Sequence, residues 1–381
     1  MERFHKKVSA DHSNGVQGYE AFVYFRSLLE RNWTDSDSNK HPFRHWVMAA
    51  SEMHYARLIQ LERRFELVDG TNGFKSRAKR LADKSEYLSA MTEIETAVKL
   101  KLAGIDISFP KAKSGDTPDI LAIVDGCDYW VEVKCVNPPG IENQLSDLTG
   151  LIMSTMMSKH VTIGGFWRQR LTEEDLQQIK DKVTLAADEV TGKDELRKVN
   201  VRGKATLYVG SGNRVADIPE EYRGSFRVWG RGPRPHIERV MSKIIEKGEK
   251  NYFGGGPGFL VLYDRLMDSR SLDEICKNEV DDLGLVITTY PQISGMALIV
   301  PSDFGARISP VTYLPTPDRD FKTYALPDMS TENLIVWKNR HADFKPPSAI
   351  FNAFMNYPKA YAKYLDERNR LSPLKILHSP G

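Results

Sequence analysis

The stretch "TPDILAIVDGCDYWVEVKC", residues 117–135, sets charged residues among apolar ones. It holds two short β-prone runs, "DILAIV" and "YWVEVKC", separated by "DGCD", which supplies the turn chemistry of a tight hairpin. Charge is out of place in such runs. Asp119 opens the first, and Glu132 and Lys134 sit inside the second, although desolvating an unpaired ion costs on the order of several kcal/mol.

In an antiparallel hairpin, directly opposite residues share a face and their numbers sum to a constant. A two-residue turn at Gly126-Cys127 makes that constant 253 and sets Asp119 opposite Lys134, whereas a turn at Asp125-Gly126 makes it 251 and sets Asp119 opposite Glu132. Either turn puts Asp119, Glu132 and Lys134 on one face and sends Ile120, Val131 and Val133 to the core side. An odd loop would shift the parity and oppose Asp119 to Val131 or Val133. Opposite Cβ atoms lie ~4.5–5.5 Å apart and diagonal ones ~7–8 Å, so two carboxylates can converge on one cation with the ammonium beside it. Two carboxylates with room for water suit Mg²⁺ or Mn²⁺ rather than zinc. Such an ion lowers the pKa of bound water and stabilises charge on a phosphoryl group, with Lys134 placed to orient the attacking water or neutralise the transition state.

Outward from the hairpin, the pattern is of helices and strands in alternation. Residues up to about 80 read as amphipathic helices, in "GYEAFVYFRSLLERNW" and "FRHWVMAASEMHYARLIQLERRFELV". A helix ending at Gly104 follows, with Tyr87, Leu88, Met91, Ile94, Val98 and Leu102 forming one buried face. Beyond the hairpin come a mostly apolar helix candidate over 145–157, a charged helix opened by "TEED" with a capping-box start at Thr172, and the strand "ATLYVGS". Then follow the helix "HIERVMSKIIEKGEKNYF", the strands "FLVLYD", "GMALIV" and "ENLIVW", and a terminal helix broken at Pro358. The expected architecture is α/β, a mixed central sheet flanked by helices, with an additional helical N-terminal region. Its expected divisions are 1–84, helical, for recognition, a partner or dimerisation; 85–300, the core, with an insertion at about 140–235; and 301–381, a C-terminal extension packing on the core.

At this point the residues resemble a family. Pro118-Asp119, followed by Glu132-Val133-Lys134 on the next strand, is similar to the signature of the PD-(D/E)XK nuclease superfamily, which has a restriction-endonuclease-like core. The preceding helix adds Glu93, Ala97, Leu100 and Gly104, where family members place an acid that completes the metal site. The later helix and strand, "IERVMSKIIEKGEKNYFGGGPGFLVLYD", resemble the family's closing α–β unit. The resemblance implies Asp119, Glu132 and the Val133 carbonyl as metal ligands, Glu93 as the helix acid, directly or through water, and Lys134 as the catalytic lysine. Glu95 competes with Glu93, and the helical pattern alone leaves both open, but the eleven-residue step to Gly104 favours Glu93. The implied function is Mg²⁺- or Mn²⁺-dependent phosphodiester hydrolysis, a DNA endonuclease before an RNA one, in restriction or anti-phage defence. The rivals are an inactive nucleic-acid-binding or scaffold protein of the same fold, and an enzyme that uses the same hairpin carboxylates on a small substrate.

Other features carry weaker signals. The basic run Lys75, Arg77, Lys79, Arg80, Lys84 and the stretch "RVWGRGPRP" with Arg227, Arg231 and Arg234 are candidates for phosphate contact, as are Lys243, Lys247 and Lys250 at helical spacing. Each is also what a solvated surface looks like. A second loose match, Asp328 with Asp343-Phe344-Lys345, fails because it runs straight into two prolines. "GGGPG" is a turn, since no Lys-Ser/Thr follows it, and His41 and His45 lack a third ligand. With 41% apolar and 27% charged residues over 381, the chain has an ordinary globular composition, and a net charge of +2 says nothing decisive about partners. Three cysteines without a CxxC pair favour a reducing compartment. No stretch approaches the ~20 apolar residues of a membrane span, and the expected location is cytoplasmic.

Overall fold

The computed structural model describes residues 15–29, 52–83, 85–111, 117–136, 158–168, 171–201, 203–211, 226–229, 233–249, 256–264, 280–302, 319–325, 331–345 and 347–371, with a few isolated positions between them. The chain divides into two compact units, one built from residues up to 136 and from 236 onward, the other chiefly from 137–235. The insertion expected over 140–235 falls within the second unit. The expected N-terminal helices and C-terminal extension both belong to the first.

The first unit begins with helices α1 (Gly15–Leu28), α2 (Glu52–Glu66), α3 (Phe74–Lys79), a 3-10 turn over Arg80–Ala82, and α4 (Tyr87–Leu102). Strands β1 (Asp106–Ser108), β2 (Ile120–Val124) and β3 (Cys127–Cys135) follow. The chain returns to this unit with α6 (Pro233–Glu249), β8 (Gly258–Tyr263), α7 (Val280–Thr288), β9 (Ile293–Ser302), β10 (Arg319–Ala325), β11 (Thr331–Lys338), α8 (Ser348–Met355) and α9 (Tyr357–Leu371). Among the described residues, seven strands of this unit form one mixed sheet in the order β1-β2-β3-β8-β9-β11-β10. β8 runs parallel to both β3 and β9, and every other neighbour is antiparallel. Every residue of β8 is buried, which is why "GFLVLY" is a continuous apolar run instead of an alternating one.

Helices cover both faces of this sheet. On one, Leu260, Leu262, Met296, Leu298, Ile335 and Trp337 join Ile237, Val240 and Ile244 of α6 and Leu283 and Ile287 of α7 in one apolar cluster. On the other, Phe259 meets the rings of Phe351 and Phe354 on α8, and Tyr263 meets Thr96 of α4. The α/β layering and the mixed sheet are as the sequence led us to expect.

Two expectations need correction. α4 does not bury a single face: eleven of its 16 residues are buried, because α2, α8 and α9 close over the side that the sheet leaves open. Its buried polar group Lys99 is consequently paired, with Nζ 3.0 Å from Glu332 Oε2 and 4.4 Å from the centre of the Tyr357 ring. The segment after 301 does not merely pack on the core, for β11 lies inside the sheet between β9 and β10. The break at Pro358 is as expected, falling between α8 and α9 with the proline in the first turn of α9.

The second unit has its own sheet, ordered β5 (Leu196–Val201), β6 (Ala205–Ser211), β4 (Val161–Arg168), β7 (Phe226–Trp229). Helix α5 (Glu173–Val190) lays Ile179, Val183, Ala187 and Val190 onto Ile163, Val199, Val201, Leu207 and Val209. The capping box forms as expected. Thr172 Oγ1 accepts from the Asp175 N–H at 3.1 Å, and the Asp175 carboxylate accepts from the Thr172 N–H at 2.8 Å. The helix candidate at 145–157 lies mostly outside the described residues.

Candidate active site

The β2–β3 register fixes the site. Ile120 pairs with Val131 and Val124 with Cys127, so opposite numbers sum to 251 and the turn is Asp125-Gly126. Both turn residues have positive φ, 52° and 78°, as a type I′ turn requires. Pairs flanking a two-residue turn exchange both backbone bonds, and so does every second pair beyond them. Continued past Ile120–Val131, that series would set Pro118 opposite Val133. Proline has no N–H to donate, so β2 offers the Val133 carbonyl no donor. The Val133 N–H turns instead to Asp119 Oδ2, at 2.9 Å.

Three charged groups then meet on the face expected for them. Lys134 Nζ stands 3.2 Å from Asp119 Oδ2 and 3.0 Å from Glu132 Oε1. Ile120, Val131 and Val133 on the opposite face are fully buried. Glu132 has a second partner in Lys247 of α6, whose Nζ lies 2.6 Å from the same Oε1. Only 3% of the Lys247 side chain is exposed, against 28% for Lys134. Burial pulls the Lys247 ammonium below the ordinary lysine range, and the attraction of Glu132 only partly offsets it. Burial would lower Lys134 too, but the flanking Asp119 and Glu132 carboxylates outweigh it and hold its pKa above the ordinary value.

Glu93 reaches this region from α4, and Glu95 does not. Glu95 points to Arg64 of α2, 3.8 Å away. Glu93 is almost wholly buried and held by two arginines: Arg80 Nη1 lies 3.0 Å from each carboxylate oxygen, and Arg77 Nη1 lies 2.7 Å from Oε2. Ser89 Oγ donates to Oε1 at 3.1 Å. Burial, then the nearby Asp119 charge, push the Glu93 carboxyl above its ordinary pKa, while Arg77 and Arg80 pull it down. Arg77 also ties α3 to the hairpin, since its Nη2 donates to the Asp119 carbonyl at 3.3 Å and its Nη1 lies 4.0 Å from Asp119 Oδ1.

The remaining sequence candidates are placed less centrally. Arg80 bridges Glu93 to Glu86, its Nε 3.1 Å from Glu86 Oε2, so its guanidinium already serves two carboxylates. Lys79 is exposed on α3. Lys243 pairs with its helix neighbour Glu246 at 2.6 Å. Arg234 lies in the first turn of α6, and Arg231, Lys250, His41 and His45 lie outside the described residues. Asp343 of the discarded second match sits in a bend, not a strand. Sequence reasoning missed Asp264, wholly buried at the end of β8 with Arg239 of α6 3.7 Å away. Its only signal was a carboxylate directly after an unbroken apolar run.

Among the described residues, no group of three or more His, Cys, Asp or Glu side chains is gathered as a metal cluster. The donors gathered are two carboxylates, Asp119 and Glu132, converging on one ammonium. Oxygen donors of this kind fit a hard divalent cation once Lys134 moves aside. Among the described residues no helix is long and apolar enough to cross a membrane. Comparison of the chain with family models, curated proteins and solved structures finds no match.

Proposed function

We propose that the chain is a Mg²⁺- or Mn²⁺-dependent phosphodiesterase acting on nucleic acid, a DNA endonuclease first, on a restriction-endonuclease-like core. One observation carries this reading. The carboxylates of Asp119, just before β2, and Glu132, on β3, converge on a single cation, Lys134, and Asp119 also accepts from the Val133 N–H. Asp119, Glu132 and the Val133 carbonyl would hold the ion, which would supply a water of lowered pKa and a positive charge for the phosphoryl oxygens. Lys134 is more exposed than its partners and has four rotatable bonds, so it can leave the carboxylates and set its ammonium against the attacking oxygen or the developing negative charge. Lys247, buried on α6, keeps Glu132 turned toward the site. Residues 137–235 are assigned to substrate recognition, and restriction or anti-phage defence in the cytoplasm is the proposed setting, by analogy with the family resembled.

The rival is a hairpin whose charges only neutralise one another, in a protein that binds nucleic acid without cutting it. Its support is the balance of charge: Arg77, Arg80, Lys134 and Lys247 meet Glu86, Glu93, Asp119 and Glu132, four against four. A screen of supercoiled, linear and single-stranded DNA and of RNA, with Mg²⁺, with Mn²⁺ and with chelator, separates the two. The nuclease reading expects metal-dependent cleavage that falls by about 100-fold or more in Lys134→Ala. Binding without cleavage of any form would establish the rival.

A further inference from the structure

The two oxygens of Glu93 are fully engaged. Oε1 accepts from Arg80 and Ser89, and Oε2 faces Arg80 and Arg77. A carboxylate so surrounded is an anchor for guanidinium groups and has little capacity left for a metal. Of its two arginines, Arg80 is shared with Glu86. Arg77 is different. A guanidinium has five N–H donors, and Arg77 directs Nη1 to Glu93 and Nη2 to the Asp119 carbonyl, leaving three donors without a partner among the described residues. It is held at both ends, within 4.0 Å of the Asp119 carboxylate, and remains 15% exposed. A fixed planar fork with free donors beside two converging carboxylates is suited to two oxygens of a phosphate.

We infer that Arg77 is a catalytic residue that grips the scissile phosphate, and that Glu93 is its positioning residue and not a metal ligand. This rests on the nuclease reading for its substrate but makes a separate demand. A phosphodiester lying alongside Arg77 and the Asp119–Glu132 pair meets one fixed cation on the α3 side and Lys134 on the hairpin side. The fork orients the phosphorus and balances charge on its non-bridging oxygens, while the carboxylates stay available to the ion.

The test is DNA binding by the full chain in Ca²⁺ as a function of salt, with Mg²⁺ cleavage and Mn²⁺ binding measured alongside, for wild type, Arg77→Gln, Arg77→Lys and Glu93→Gln. The slope of log affinity against log salt should fall in magnitude by about 0.9 in Arg77→Gln, the loss of one phosphate contact on duplex DNA. Arg77→Lys should restore the slope while leaving cleavage impaired, since a point charge lacks the fork. Mn²⁺ affinity measured without DNA should stay within about twofold in Glu93→Gln. An unchanged slope in Arg77→Gln, with only a lower melting temperature, would make Arg77 a structural tie and overturn the inference. A large loss of Mn²⁺ binding in Glu93→Gln would overturn the anchor assignment. If wild type binds DNA with an Arg77-dependent slope but cuts nothing, the Arg77 assignment stands and the nuclease reading falls. If wild type binds no nucleic acid, both fall.

Discussion

Lys134 and Lys247 both lean on Glu132, yet they differ in what surrounds them. Lys247 is enclosed by α6 and the sheet, so removing it would strand a 5%-exposed carboxylate beside one remaining cation. Lys134 is at the rim, and its loss leaves Asp119 still bonded to the Val133 N–H. A second residue of interest lies away from the site. Glu62 on α2 has its carboxyl pushed up to about 7, by burial first and then by Glu66 and Glu20, with Arg368 and Arg63 working against the shift. A carboxyl raised in the folded chain binds its proton more tightly there than in the unfolded chain. Its contribution to stability is therefore complete below the ordinary value of 4.5 and is lost as pH rises through about 7. Glu62→Gln should raise the melting temperature at pH 8 and flatten its decline between about pH 4.5 and 7, as followed by calorimetry. At this scale Asp119, Glu132 and Lys134 were legible because strand parity is strict and "DG" names its own turn. The helical pattern did not separate Glu93 from Glu95, because a helix buried on nearly all sides has no polar edge to mark which acid faces the site, and only the step to Gly104 favoured Glu93. Arg77 was one basic residue among five, and nothing in the run sets it apart.

Among the elements, α6 decides where Lys247 stands, and its fit to the sheet depends on a glycine. A Cβ on Gly248 would clash with the Tyr290 ring at Cδ1, and Gln292 Nε2 donates to the Gly248 carbonyl at 2.6 Å. The end of α6 is thus latched to the turn after α7 at the residue following Lys247. Gly248→Ala should cost about 1–3 kcal/mol through overpacking, read by denaturant unfolding. It should lower cleavage further than its stability cost explains, because Lys247 moves with the helix. The hairpin, α4 and β8 were readable as elements from period and burial alone. β10, "RDFKTYA", was not. It alternates weakly, and among the described residues it stands at the sheet edge with β11 as its one neighbour to impose an apolar face.

For the molecule as a whole, each unit closes its own core, and no alternation of helix and strand along the chain revealed that the middle segment forms a separate sheet. "VTIGGFWR" carries two glycines and "LRKVNV" carries two charges, both of which dilute a strand signal. The capping box of α5 was legible, since its four residues are contiguous. Thr172→Ala should cost about 1 kcal/mol and raise hydrogen exchange in α5 while α4 and the hairpin remain protected. Uniform loosening of both units would instead mean that they unfold as one.

The proposed function requires Asp119 and Glu132 to form an ion-holding pair and not merely a salt-bridged hairpin. Asp119→Asn tests it most directly, because the amide keeps the size of the side chain and an oxygen for the Val133 N–H while removing the charge. Cleavage of DNA in Mg²⁺, compared at equal concentrations of folded protein, should fall by about 100-fold or more with the melting temperature nearly unchanged. Cleavage by Asp119→Asn at the wild-type rate would leave the pair no role in holding an ion.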